Sequence, residues 1–67
     1  MIAQERRNKI VEILKNAKEP ISGSDLAKRF GVTRQIIVQD IAILRAKGIK
    51  ILSTPQGYVI DLSLIHI

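Results

Sequence analysis

Gln35 and Gln39 stand four residues apart in the stretch GVTRQIIVQDIAILRAKG, Gly31 to Gly48. A glutamine amide carries one acceptor and two donors, and it can pair bidentately with N6 and N7 of adenine. On a helix a four-residue spacing puts two such groups on one side, one turn apart. The competing reading is a pair of solvated surface amides. Arg34 and Arg45 in the same stretch offer planar cationic forks suited to phosphate. Reactive groups are lacking elsewhere. The chain has no cysteine and a single histidine, His66, so disulfides and thiolate metal sites are excluded and the histidine cannot build a metal site by itself. The carboxylates are scattered, with none paired at a Gly-rich or metal-ligand motif, and no phosphate-cradling loop is present. Catalysis, a resident metal and a bound cofactor are therefore not expected in this chain. The chemistry available is recognition.

The totals narrow what is recognised. Lys plus Arg outnumber Asp plus Glu by 11 to 6, a net charge of +5 on 67 residues. So small a basic surface favours a polyanion, nucleic acid first and an anionic membrane second. No apolar run approaches the roughly 20 residues of a membrane span, and the N-terminus has no signal-peptide core. Double-stranded DNA rather than a membrane is the expected partner, in the cytoplasm. The hydrophobic fraction, 46% and almost all aliphatic, excludes a disordered tail but allows only one small domain, near the size at which a core suffices without staples.

The elements that must position those residues follow from spacing. Between Ile2 and Lys18, Ile10, Ile13, Leu14 and Ala17 fall on one face of an amphipathic helix. Pro20 is expected to stop it, with Ile21 extended and pointing inward. Ser22-Gly23-Ser24-Asp25 reads as a reciprocal capping box opening a second helix, Gly23 to Phe30, which buries Leu26, Ala27 and Phe30. Gly31 ends that helix in the left-handed conformation, Val32 plugs the turn, and Thr33 caps a third helix running from Arg34 to about Lys47. Ile49, Ile51, Tyr58 and Ile60 then alternate in two short strands around the turn Thr54-Pro55-Gln56-Gly57. The fold class is mainly α with a small β-hairpin: a winged helix-turn-helix, three helices plus a wing, over residues 1–61.

In such a fold the third helix packs one stripe on the other helices and lays the opposite face in a DNA major groove. Ile37, Ile41 and Leu44 make the stripe, with Ile41 and Leu44 flanking Ile37 within about 40°. Gln35, Gln39, Ala42 and Ala46 point the other way. Base reading is assigned to Gln35 and Gln39, to Val38 as a contact for a thymine methyl, and to Ala42 as a residue small enough to let the helix sink. Phosphate and wing contacts are assigned to Thr33, Arg34, Lys28, Arg29, Arg45, Thr54 and Gln56. Pro55 and Gly57 are read as shaping the turn only. Asp40 is expected to pair structurally with a nearby Arg or Lys, and Ile36 and Ile43 to pack on the hairpin or first helix. Tyr58 is expected in the core. Arg6, Arg7 and Lys9 read as a solvated face.

EPISGSDLAKRFGVTRQIIVQDIAILRAKG followed by LSTPQGYVI resembles the N-terminal winged helix of the bacterial niacin-responsive repressors. The likeness runs from Gln4 to Asp61 and is most specific in VTRQIIVQDIAILRAKG and STPQGY, since SGSDLAKRFGV is shared by many such domains. It implies a repressor that binds operators of NAD-synthesis and niacin-uptake genes in the bacterial nucleoid. It also implies nicotinate as co-repressor and a divalent metal, both held by a C-terminal "3H" domain that these residues do not contain. By the same resemblance the full-length parent is a homodimer, while this fragment is expected to be monomeric and unresponsive to nicotinate. Two further readings remain: the DNA-binding domain of a biotin ligase/repressor, and a winged helix used for protein–protein interaction. The tail LSLIHI, Leu62 to Ile67, is what CTGTCTCTTATACACATC encodes, the end of a transposase-derived sequencing adapter. Residues 62–67 are therefore read as adapter read-through, against a linker start as the other origin.

Overall fold

The computed structural model of the protein describes residues 2–61, and the reading of residues 62–67 lies outside them. Three helices are followed by a hairpin: α1 (Ala3–Asn16), α2 (Gly23–Phe30), α3 (Arg34–Ala46), β1 (Ile51–Thr54) and β2 (Gly57–Ile60). α1 stops earlier than its pattern predicts. Ala17 is already extended, at φ −75° and ψ 138°, so the chain leaves the helix before Lys18 and well before Pro20. The Asn16 amide donates to the carbonyl of Glu12 at 3.0 Å and occupies one acceptor of the last turn.

The two later helices begin and end on local signals. Ser22 Oγ accepts from the Asp25 amide at 3.1 Å. The reciprocal bond from Ser22 back to the Asp25 carboxylate is not among the hydrogen bonds of the described residues, so the cap is one-sided. Gly31 sits at φ 65°, a left-handed conformation that costs a side-chain-bearing residue energy, and the Val32 amide reaches back to the Ala27 carbonyl at 3.0 Å. Thr33 Oγ1 accepts from the Ile36 amide at 3.3 Å to open α3. That helix ends the same way, with Gly48 at positive φ and the Ile49 amide bonded to the Leu44 carbonyl at 3.1 Å.

The hairpin pairs Ile51 with Ile60, Leu52 with Val59, Ser53 with Tyr58 and Thr54 with Gly57. Ile21, between α1 and α2, adds an antiparallel bridge to Tyr58, through Tyr58 N to Ile21 O at 2.8 Å and Ile21 N to Tyr58 O at 3.1 Å. Gly57 does more than shape the turn. A Cβ there would fall 2.5–2.7 Å from backbone atoms of Ile21 and Ser22, and its φ is +146°. Only glycine lets the wing lie this close to the start of α2.

The core gathers from every element. Ile10 and Leu14 of α1, Leu26 and Ala27 of α2, Ile37, Ile41 and Leu44 of α3, and Ile51 of β1 are buried. Val11, Ile13, Ile21, Phe30, Val32, Ile49, Tyr58 and Ile60 pack around them. Tyr58 thus joins the core margin, as its place in the strand alternation predicts. Because Ile37, Ile41 and Leu44 turn inward, the side of α3 opposite them must face outward.

Candidate nucleic-acid interface

α3 presents the face that its spacing predicts. Gln35, Val38, Gln39, Ala42 and Ala46 are all exposed, and Gln35 and Gln39 lie one turn apart, about 6 Å along the axis. Among the described residues, neither amide is bonded within the protein. Val38 is 45% exposed, high for a valine and useful only where another surface covers it. Ile43 departs from expectation: it is 38% exposed rather than packed on the hairpin or α1. It extends the outer face toward the α1 side of the helix, while Ile36 beside it is half-buried.

The charge on this side of the molecule is one-sided. From Arg34 to Ile60 the only acid is Asp40, against Arg34, Arg45, Lys47 and Lys50. Asp40 is 2% exposed and held by two arginines of α1. Arg6 donates through Nε at 2.6 Å and Nη2 at 3.1 Å, and Arg7 through Nη1 at 3.4 Å. The expected partnering of Asp40 is present, and the α1 arginines are a correction. Their side chains are only 14% and 17% exposed, and they face the seam with α3 rather than solvent. A signal was available, since Arg6 and Arg7 lie at i−4 and i−3 from Ile10 and so continue its buried stripe. The bond to Asp40 raises the Arg6 pKa above the ordinary arginine value, while burial opposes the shift. No acid is left exposed on the outer face of α3.

The cations assigned to phosphate divide by what they touch. Arg34 and the Tyr58 ring edge both lie over Gly23, 3.6 and 3.4 Å from where a Cβ on it would stand. Arg34 lines a cleft of 230 Å³ between the start of α2 and the hairpin turn, with Ser22, Gln56 and Tyr58. This brings Arg34 and Gln56 to the first turn of α2, where Arg34 is the cation of the cleft and the exposed Asp25 of that turn offsets part of its charge. Arg45 is engaged instead. Its Nε donates to the Ile51 carbonyl and its Nη2 to Ser53 Oγ, both at 2.8 Å, so it braces the wing against α3. Lys28 is exposed on α2, whereas Arg29 lines a groove against α1 with Lys9, Glu12 and Ile13 and is not gathered with Arg34. Thr33 uses its oxygen to cap α3 and keeps a hydroxyl proton to give.

Thr54 is corrected as a wing contact through its hydroxyl. Its Oγ1 accepts from the amides of Gln56 and Gly57 at 3.2 and 3.1 Å and donates to the Gly57 carbonyl at 2.8 Å. One donor and two acceptors are the whole capacity of a hydroxyl. Thr54 therefore builds the turn, and Gln56 is left as the exposed polar side chain of the tip, beside the exposed Pro55. No cluster of three or more metal-binding side chains occurs among the described residues, and none of their helices is long and apolar enough to cross a membrane.

Three helices, a glycine turn between the second and third, and a wing sewn to the start of the second define a winged helix-turn-helix domain. Residues 6–59 match the family model described as an HTH domain, and the chain belongs to that family. Over 59 residues, 88% of the chain, it is 54% identical to a Thermotoga maritima protein named "Probable transcription repressor NiaR". Over the same share it is 46% identical to "Transcription repressor NadR" of Bacillus subtilis. These matches cover 34% and 33% of the two relatives, so the chain spans about a third of their length. The resemblance drawn from VTRQIIVQDIAILRAKG and STPQGY leads to the same relatives.

Proposed function

We propose that this chain is the DNA-reading domain of a bacterial transcription repressor, acting on genes of NAD or niacin metabolism, with α3 in the major groove. The observation that carries it is the outer face of α3, where two unbonded glutamine amides and small apolar side chains are exposed and no acid is. In the groove, Gln35 and Gln39 would exchange water for adenine edges, and Val38 and Ala42 would meet thymine methyls. Arg34, Lys28 and Thr33 would hold phosphates that set the register without reading sequence. Gln56 would approach the backbone or the adjacent groove from the wing. Both relatives are named transcription repressors, which favours this reading over the DNA-binding half of a biotin ligase.

A single domain is proposed to bind as a monomer and weakly. An operator with two-fold symmetry is read by two such domains, and linking them raises avidity by roughly 10²–10⁴ without a new contact. The test is selection from a random duplex library by the 67-residue chain, with sedimentation of the free protein alongside. Enrichment of an adenine-containing half-site by a monomer is the expected outcome. A chain that retains no sequence over the starting library, at any salt, would leave a protein-binding winged helix as the better reading.

A further inference from the structure

We infer that the ionic clamp from Arg6 to Asp40 sets the rotation of α3 about its own axis, and so positions the Gln39 and Gln35 amides. The inference rests on the DNA-reading function proposed above. What α1 and α3 otherwise bury in the shared core is aliphatic, Ile10 and Leu14 from one and Ile37, Ile41 and Leu44 from the other. Such packing is non-directional, and cores of this kind tolerate rearrangement at similar volume. Among the described residues, the hydrogen bonds that join α1 to α3 all end on one carboxylate, Asp40. One residue past the helix, Lys47 adds only a long exposed contact to Gln4 at 3.5 Å. A guanidinium that grips both carboxylate oxygens fixes the plane and direction of the acid as well as its distance. Asp40 directly follows Gln39, about 100° farther around the helix. A side-chain tip about 6 Å from the axis moves about 1 Å for each 10° of rotation, enough to take an amide out of hydrogen-bond range.

Stability is a poor reason for this clamp. Exchanging a buried ion pair for apolar groups of similar volume is often neutral or stabilising. Here the cluster also leaves Arg7 Nε buried with no hydrogen-bond partner, which is a cost in a low-dielectric seam. A fixed geometry is what the aliphatic core alone does not supply. Arg6 and Asp40 are therefore positioning residues that act on DNA through Gln35 and Gln39.

The test compares the wild-type chain with R6M/D40L and with R6K. The double variant removes one positive and one negative charge, so net charge is unchanged and electrostatic binding to random duplex is held constant. The double variant also takes from Arg7 its contact with Asp40, and R6K, which leaves that carboxylate in place, separates this loss from the loss of the Arg6 fork. R6K keeps the charge and loses the fork, and it serves where the double variant fails to fold. The probes are the duplex enriched by the wild-type chain and the unenriched library. Both variants are expected to keep their affinity for random duplex. Their preference for the enriched duplex should fall by about tenfold, the low end of what one bidentate base contact carries. Residual dipolar couplings of the free proteins should show α3 rotated against α1. A folded variant with wild-type preference, or with an unrotated α3, overturns the inference. A parallel loss for both duplexes also overturns it, since that is the mark of a merely structural role. If the wild-type chain itself enriches no sequence, the DNA-reading function falls first, and this inference with it.

Discussion

Gln35 and Gln39 are exposed donors and acceptors with no bond among the described residues, so replacing them should cost the fold little and leave any effect to the partner. Gln35→Ala and Gln39→Ala should each lower discrimination between selected and random duplex by roughly 1–3 kcal/mol, with little change on random DNA. Competition binding with the two duplexes checks this, and unchanged discrimination in both would move the reading face elsewhere. Arg34→Ala and Lys28→Ala should behave oppositely, weakening both duplexes alike, because phosphate contacts carry no sequence information. At the seam, the folded state raises the Arg6 pKa. A raised folded value means the contribution is complete below the unfolded arginine value and fades only as pH climbs through the raised one. This arginine's contribution is therefore constant across neutral pH.

Among the elements, α2 could be read almost to the residue and α1 could not. Both ends of α2 are determined locally, by Ser22 accepting an amide and by Gly31 taking a positive φ, and such signals survive without any knowledge of the fold. α1 stops at Asn16 because the chain must be extended by Ala17 to bring Ile21 to Tyr58. Neither Ala17 nor Lys18 opposes a helix and Pro20 restricts only itself and Glu19, so the local signals place the end too late. The clamp was half legible for the same reason: Asp40 falls among buried neighbours on its own helix, but its partners lie 34 and 33 residues away. At the hairpin, the turn motif accounted for Gly57 and Thr54 too cheaply, hiding that one packs on Ile21 and the other has a saturated hydroxyl. Gly57→Ala should expose the first of these. A non-glycine residue in so unusual a backbone region costs roughly 1–3 kcal/mol, and the clash with Ile21 adds to it. Thermal unfolding should show a clear loss of Tm, whereas Gln56→Ala at the same tip should show almost none.

At the scale of the whole molecule, 67 residues leave little stability in reserve. Ile37→Ala, at a site with 0% exposure, should cost roughly 2–5 kcal/mol, which equilibrium denaturation would register as a chain largely unfolded at ambient temperature. Binding to duplex should weaken steeply with salt, each neutralised phosphate adding about −0.9 to the slope of log K against log salt concentration. A slope near zero in a titration series would remove the electrostatic part of the interface. The seam at Ile21 has a consequence for the DNA as well. Its bridge to Tyr58 ties the wing to the start of α2, and Arg45 bonded to Ile51 and Ser53 ties the wing to α3, so that in the proposed function α3 and the wing would act as a caliper with jaws at a set gap. A caliper does not adapt to what it measures. Duplexes whose grooves already match the gap would bind without deformation, and others would have to be widened or bent at an elastic cost that depends on their stacking steps. Base pairs lying between the jaws, touched by no side chain, should therefore still show a preference in the selected sequences.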